Sequence, residues 1–80
     1  MDYEELEEGL TTYYNEWCEE HKVDGNDRIL KRFIDTAIDT IDGYVSGYDC
    51  ELHEAYERYC ESEIGVDLNY FLVSNRGDEE

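Results

Sequence analysis

The sequence has no proline, only six Lys and Arg among 80 residues, and no apolar run approaching the roughly 20 residues that a membrane span needs. Without proline, only glycines and capping side chains can punctuate the chain, so long helices are open to it. The opening residues include Asp2, Glu4, Glu5, Glu7 and Glu8, where a secretory signal would carry bases and then an apolar stretch. Three cysteines cannot all pair in a framework of the secreted kind, so free thiols and a cytoplasmic location are expected. No G-x-x-x-x-G-K-[ST] phosphate loop, no G-x-G-x-x-G turn and no G-x-S-x-G nucleophile motif occurs. With 23 acids present, carboxylate pairs arise by chance, and enzymatic activity is not expected.

Negative charge is what the chain has in excess. The 23 Asp and Glu against six bases leave a formal net charge of −17 and an isoelectric point near 4.1. Such a field repels nucleic acid and anionic membranes and steers the protein toward basic surfaces. The expected partner is therefore a basic protein, with no direct contact to nucleic acid or membrane. Apolar residues at 40%, with eight Tyr, are enough for one core, so residues 1–80 read as a single acidic helical domain.

Apolar spacing gives three helices. Residues 2–22 carry Tyr3, Leu6, Leu10, Tyr13, Tyr14, Trp17 and His21 at intervals of three and four, with Asp2 and Glu5 spaced as a capping box. Gly9 inside that stretch costs about 1 kcal/mol relative to Ala and has no evident reason. After the turn Val23-Asp24-Gly25-Asn26, Asp27 is placed to cap a second helix bearing Leu30, Phe33, Ile34, Ala37, Ile38 and Ile41, with Gly43 as its stop. A linker at Tyr44 and Val45 and a Ser46–Asp49 capping box would lead into a third helix carrying Tyr48, Leu52, Ala55, Tyr56 and Tyr59 and ending near Gly65. Residues 66–73 alternate like a strand, yet Asp67 could cap a short helix. A lone strand would leave an unpaired edge, which favours a short helix or an extended segment docked on the bundle. The expected fold is an all-α compact bundle of three amphipathic helices with a short C-terminal helix or extended segment. Asn75 to Glu80 reads as a frayed acidic end.

At 100° per residue, the first helix carries Glu5, Glu8, Glu16 and Glu19 opposite its apolar stripe, with Glu4 beside them. The third helix carries Glu54, Glu57 and Glu61 in the same way. Like charges at these spacings destabilise a helix by a few tenths of a kcal/mol per pair, so helix stability gives no reason to align them. Lys22, Arg28, Lys31 and Arg32 gather instead around the first turn. An up-down-up bundle sets the first and third helices parallel, which would join their acids into one long negative surface. Seventeen charges match those on roughly 29 Å of duplex DNA at one per 1.7 Å. Solvation of ordinary helix surfaces, or adaptation to salt, would also enrich these faces in acids.

Cys18-x-x-His21 and Cys50-x-x-His53 have the spacing of zinc half-sites, but the bundle topology puts them at opposite ends, so no metal site is expected. Cys18 and Cys60 would lie toward one end, where a bridge is conceivable and free thiols are the default. His21 reads as a boundary histidine on the apolar stripe, and His53 as an interface edge. Neither acid-rich turn has the ligand alternation or closing Glu of an EF-hand, and no cofactor is expected. Tyr3, Tyr13, Tyr14, Trp17, Tyr48, Tyr56 and Tyr59 read mostly as core. Tyr44 and Tyr70, with those at stripe edges, are candidate interface anchors.

In size, tyrosine and acid content and helicity the chain resembles the small acidic phage-encoded inhibitors that mimic DNA, the anti-restriction and anti-CRISPR class. Its Glu61-Ser-Glu-Ile-Gly-Val-Asp-Leu segment is similar to the acidic turns of such proteins. The resemblance implies an inhibitor in the host-cell cytoplasm that occupies the nucleic-acid site of a nuclease or of a CRISPR or restriction component. Glu4, Glu5, Glu8, Glu16, Glu19, Glu54, Glu57 and Glu61 are the partner-binding candidates on the striped-face argument alone. An antitoxin or immunity protein against a basic toxin or nuclease is the alternative. An adaptor that forms a homodimer through residues 66–73 is a third reading.

Overall fold

In the computed structural model, which describes residues 1–74, Asp2 opens α1 (Tyr3–His21) with the expected capping box. The Glu5 N–H donates to Asp2 Oδ1 at 3.0 Å, and the Asp2 N–H donates to Glu5 Oε1 at 3.2 Å. The helix ends in a Schellman-type cap: Lys22 is left-handed at φ 57°, and the Val23 N–H reaches the Cys18 carbonyl at 3.0 Å. A second helix, α2 (Asp27–Tyr48), is capped one residue earlier than expected, because Asn26 and not Asp27 accepts the Ile29 N–H, at 2.8 Å.

Gly43 does not stop α2. The helix runs through Gly43 and Gly47, so the linker at Tyr44 and Val45 and the Ser46–Asp49 box do not form. Ile38, Tyr44 and Val45 pack against the core along with the buried Ile41, and this burial outweighs the roughly 1 kcal/mol propensity cost of each glycine. The turn falls instead at Asp49–Glu51. There Glu51 and Glu54 make the capping box that begins α3 (Leu52–Ser62).

Helix α3 also ends before Gly65. At Ser62 the hydroxyl donates back to the Arg58 carbonyl at 2.8 Å, a bond that bends helices. The chain kinks at Glu63 into α4 (Ile64–Asn69), and the Glu63 N–H still reaches the Tyr59 carbonyl at 2.8 Å. One π-helical turn, Tyr70–Ser74, follows, so the terminal segment is helical and the strand alternative falls. Asp67 is no cap: its Oδ2 accepts the Tyr59 hydroxyl at 2.6 Å and ties α4 to α3. The expected frayed end, Asn75 to Glu80, lies outside the described residues.

The fold is thus an all-α helical bundle. α1 and α2 are antiparallel, as the Tyr3–Asp42 bond (2.8 Å) at one end and the Tyr14–Asn26 bond (3.1 Å) at the other show. One core joins Leu6, Leu10 and Tyr14 of α1 to Ile29, Phe33, Ala37 and Ile41 of α2. Ala55 and Tyr59 of α3 and Ile64, Leu68, Phe71 and Leu72 close it. The aromatic reading needs correction: Tyr14 and Tyr59 are buried and Trp17 and Tyr56 half-buried, but Tyr3, Tyr13 and Tyr48 are exposed. Tyr48, 59% exposed, lies under the Arg58 guanidinium at 4.7 Å.

The cap at Asp49 is a weak point. Its backbone is left-handed at φ 53°, which costs a non-glycine residue about 1 kcal/mol, and its negative charge sits at the negative end of the α2 dipole. Asp49→Gly is expected to stabilise the protein by about 1 kcal/mol and raise the thermal midpoint by roughly 4–8 °C. An unchanged or lowered midpoint in thermal melts would refute this account of the cap.

Candidate functional site: an anionic surface around helix α1

All eight glutamates singled out in the sequence are exposed. Two of them have a structural task that the striped-face argument missed. Glu5 and Glu54 are the N3 acceptors of the α1 and α3 capping boxes, so helix stability does place these two. Among the described residues, Glu4, Glu8, Glu16, Glu19, Glu57 and Glu61 form no ion pair with a base.

The two acidic helices do lie side by side. Gly9 faces the Tyr56 ring, where a Cβ would come within 2.5 Å of its hydroxyl, and Tyr13 and Tyr56 both meet the Cys60 thiol. The pairs Gly9–Tyr56 and Tyr13–Cys60 are separated by the same number of residues, which makes α1 and α3 parallel. The end of the Tyr56 side chain therefore occupies the space that a Cβ at Gly9 would take. Glu5 and Glu16 border this seam on the α1 side, and Glu57 and Glu61 on the α3 side.

A third row of acids was not read from the sequence. Asp35, Asp39 and Asp42 follow one another at i, i+4 and i+7 on α2, all exposed, and line a shallow groove of about 620 Å³ with Tyr3, Thr36, Ile38 and Thr40. Glu7 faces Asp35 across a smaller groove of about 280 Å³, floored by Leu30 and Ile34 and bordered by Asp27 and Lys31. The signal is the spacing of the three acids, on a helix whose apolar face is the stronger pattern. The anionic surface is centred on α1 and flanked by acids of both neighbours. Lys22, Arg28 and Arg32 sit around the far end, with Arg32 over the Phe71 ring at 5.9 Å, whereas Lys31 borders the groove between Glu7 and Asp35.

The thiols are free and the histidines are at the surface. Burial pushes the Cys18 and Cys60 thiols up, with nearby hydroxyls of Tyr56 and Tyr13 partly offsetting this at Cys60, so both remain protonated at neutral pH. Cys50 Sγ lies 3.7 Å from the Tyr44 carbonyl, at the opposite end of the bundle from Cys18. His21 is exposed and stacks on Trp17, and His53 lies 3.6 Å from Glu51. No group of three or more metal-ligating side chains forms among the described residues, and no described helix is long and apolar enough to cross a membrane. The chain matched no protein-family profile, no curated protein and no solved structure.

Proposed function

We propose that the protein is a non-enzymatic inhibitor that occupies the nucleic-acid-binding site of a basic DNA-handling protein, of the anti-restriction or anti-CRISPR type. The observation that carries this reading is the row-on-row arrangement of exposed acids around α1. Along the longest dimension of 38 Å, the net charge amounts to between two-thirds and three-quarters of the linear charge of duplex DNA, with or without the six terminal residues. Carboxylates at i and i+4 stand about 6 Å apart along a helix, within reach of side chains that grip successive phosphates. The exposed Tyr3, Tyr13 and Tyr70 supply rings that a partner can desolvate.

The test is capture of partners from a host lysate at two ionic strengths, followed by challenge with duplex DNA. Captured proteins are expected to be basic nucleic-acid binders, to be released by the duplex, and to bind more weakly as salt rises. The variant Glu8→Lys, Glu16→Lys, Glu57→Lys and Glu61→Lys, which spares both capping boxes, is expected to capture none of them while keeping its helicity. Partners that resist saturating duplex, or that bind the reversed variant equally well, would overturn the proposal. A single basic toxin held against duplex would favour the antitoxin or immunity alternative.

A further inference from the structure

At one place on the acidic surface, two aromatic side chains stand beside two carboxylates. Tyr13, Glu16, Trp17 and Glu20 occupy positions i, i+3, i+4 and i+7 of α1 and line a notch of about 170 Å³. In the α1–α3 register, Glu16 and Trp17 stand level with residues 63 and 64. By that point α3 has ended and the chain has turned into α4, so α3 does not cover this face of α1.

The Trp17 ring is packed against the core and stacked on the His21 ring, with centroids 3.9 Å apart and planes 20° apart. The Tyr13 hydroxyl lies beside the Cys60 thiol, and the residue is 41% exposed. Glu16 and Glu20 are both exposed, and the nearest base to Glu20 is His21, whose Nε2 is 3.8 Å from Oε1.

We propose that this notch is a receptor for one arginine side chain of a protein partner, its guanidinium lying against the Tyr13 and Trp17 rings and donating to Glu16 and Glu20. Two carboxylates exclude an anion, and the volume admits one small flat group. A guanidinium is planar, weakly hydrated and suited both to aromatic faces and to carboxylates, whereas an ammonium is compact and strongly hydrated. The notch should therefore tell Arg from Lys, which the rest of the acidic surface, acting through charge, has no means to do. The inference rests on the reading of a basic partner and adds to it the side chain recognised.

Trp17 is the sole tryptophan, so its emission and its indole N–H resonance report on the notch alone. The full chain is titrated with two capped pentapeptides, Lys-Lys-Arg-Lys-Lys and its all-lysine counterpart. The arginine peptide is expected to bind about fivefold more tightly and to shift the indole resonance. The variant Glu16→Gln with Glu20→Gln, and separately Tyr13→Leu, should abolish the preference while helicity and the weak affinity for the lysine peptide persist. Equal affinity for the two peptides, or a preference that survives both variants, would overturn the proposal. Such a failure, with duplex-sensitive capture from lysate intact, would remove the arginine receptor and leave the functional reading standing.

Discussion

Raising the pH from about 10 to 12 is expected to melt the helices in one cooperative step, together with ionisation of the buried tyrosines. In the unfolded chain each phenol loses its proton near pH 10. In the fold, burial pushes Tyr14 up to about 12. Tyr56 and Tyr59 are pushed further up, first by burial and then by the Cys60 thiol and the Asp67 carboxylate, respectively. The folded state thus keeps protons that the unfolded state releases. The stabilisation is complete below pH 10 and is lost as pH climbs toward the folded values. Each such group loses up to about 1.4 kcal/mol per pH unit, and halving this for solvent access leaves about 2 kcal/mol per unit for the three. A chain of this length has a total stability of about 4–12 kcal/mol, so this loss alone brings the lower end of that range to zero near pH 12. The Cys18 and Cys60 thiols, also raised by burial, act in the same direction from lower pH. Circular dichroism should change together with the last part of the tyrosinate absorbance, that of the three buried rings. Ionisation of all eight tyrosines by pH 12 while helicity persists would contradict the burial described.

Gly25→Ala is expected to destabilise the protein by about 1–3 kcal/mol, the usual range for forcing atoms into a packed site. A Cβ at this position would overlap the hydroxyl, Cζ and Cε1 of Tyr14, which is 4% exposed and stacked near Phe33 with centroids 6.0 Å apart. The Tyr14 hydroxyl also donates to the carbonyl of Asn26, the residue that caps α2. Either the ring leaves the core or the turn moves and the cap is lost, and each route costs a named contact. The contrasting substitution is Gly43→Ala, where a Cβ meets nothing within 4 Å and helix propensity is gained, so a stabilisation of up to about 1 kcal/mol is expected. Thermal or urea melts of the two variants should move in opposite directions. Gly25→Ala with wild-type stability would show that the contact between Tyr14 and the turn is not what holds the α1–α2 end of the bundle.

The acids of α1 and α3 were legible because a helix puts residues three and four apart on one face whatever it packs against. One role within them was not. Glu5 and Glu54 stand in the acidic rows and also close capping boxes; the Asp2–Glu5 box is read from spacing, whereas the Glu51–Glu54 box became visible only once the start of α3 was known to be Leu52. The row Asp35, Asp39 and Asp42 joins the surface only because α1 lies beside it, with Tyr3 bonded to Asp42. The notch at Trp17 depends on where α3 stops, and that point is set by the kink after Ser62.

By itself, the sequence determined the all-α class, the span of the first helix and the sign and excess of the charge. Apolar spacing, capping side chains and ionisable groups are local properties and need no partner in space to be read. Tertiary structure decided that α2 would run through two glycines, that Tyr13 and Tyr48 would face solvent, and that three rows of acids would meet around one helix. Each of these turns on which surfaces are buried against each other, and burial across elements outweighs the propensity of about 1 kcal/mol carried by any single residue.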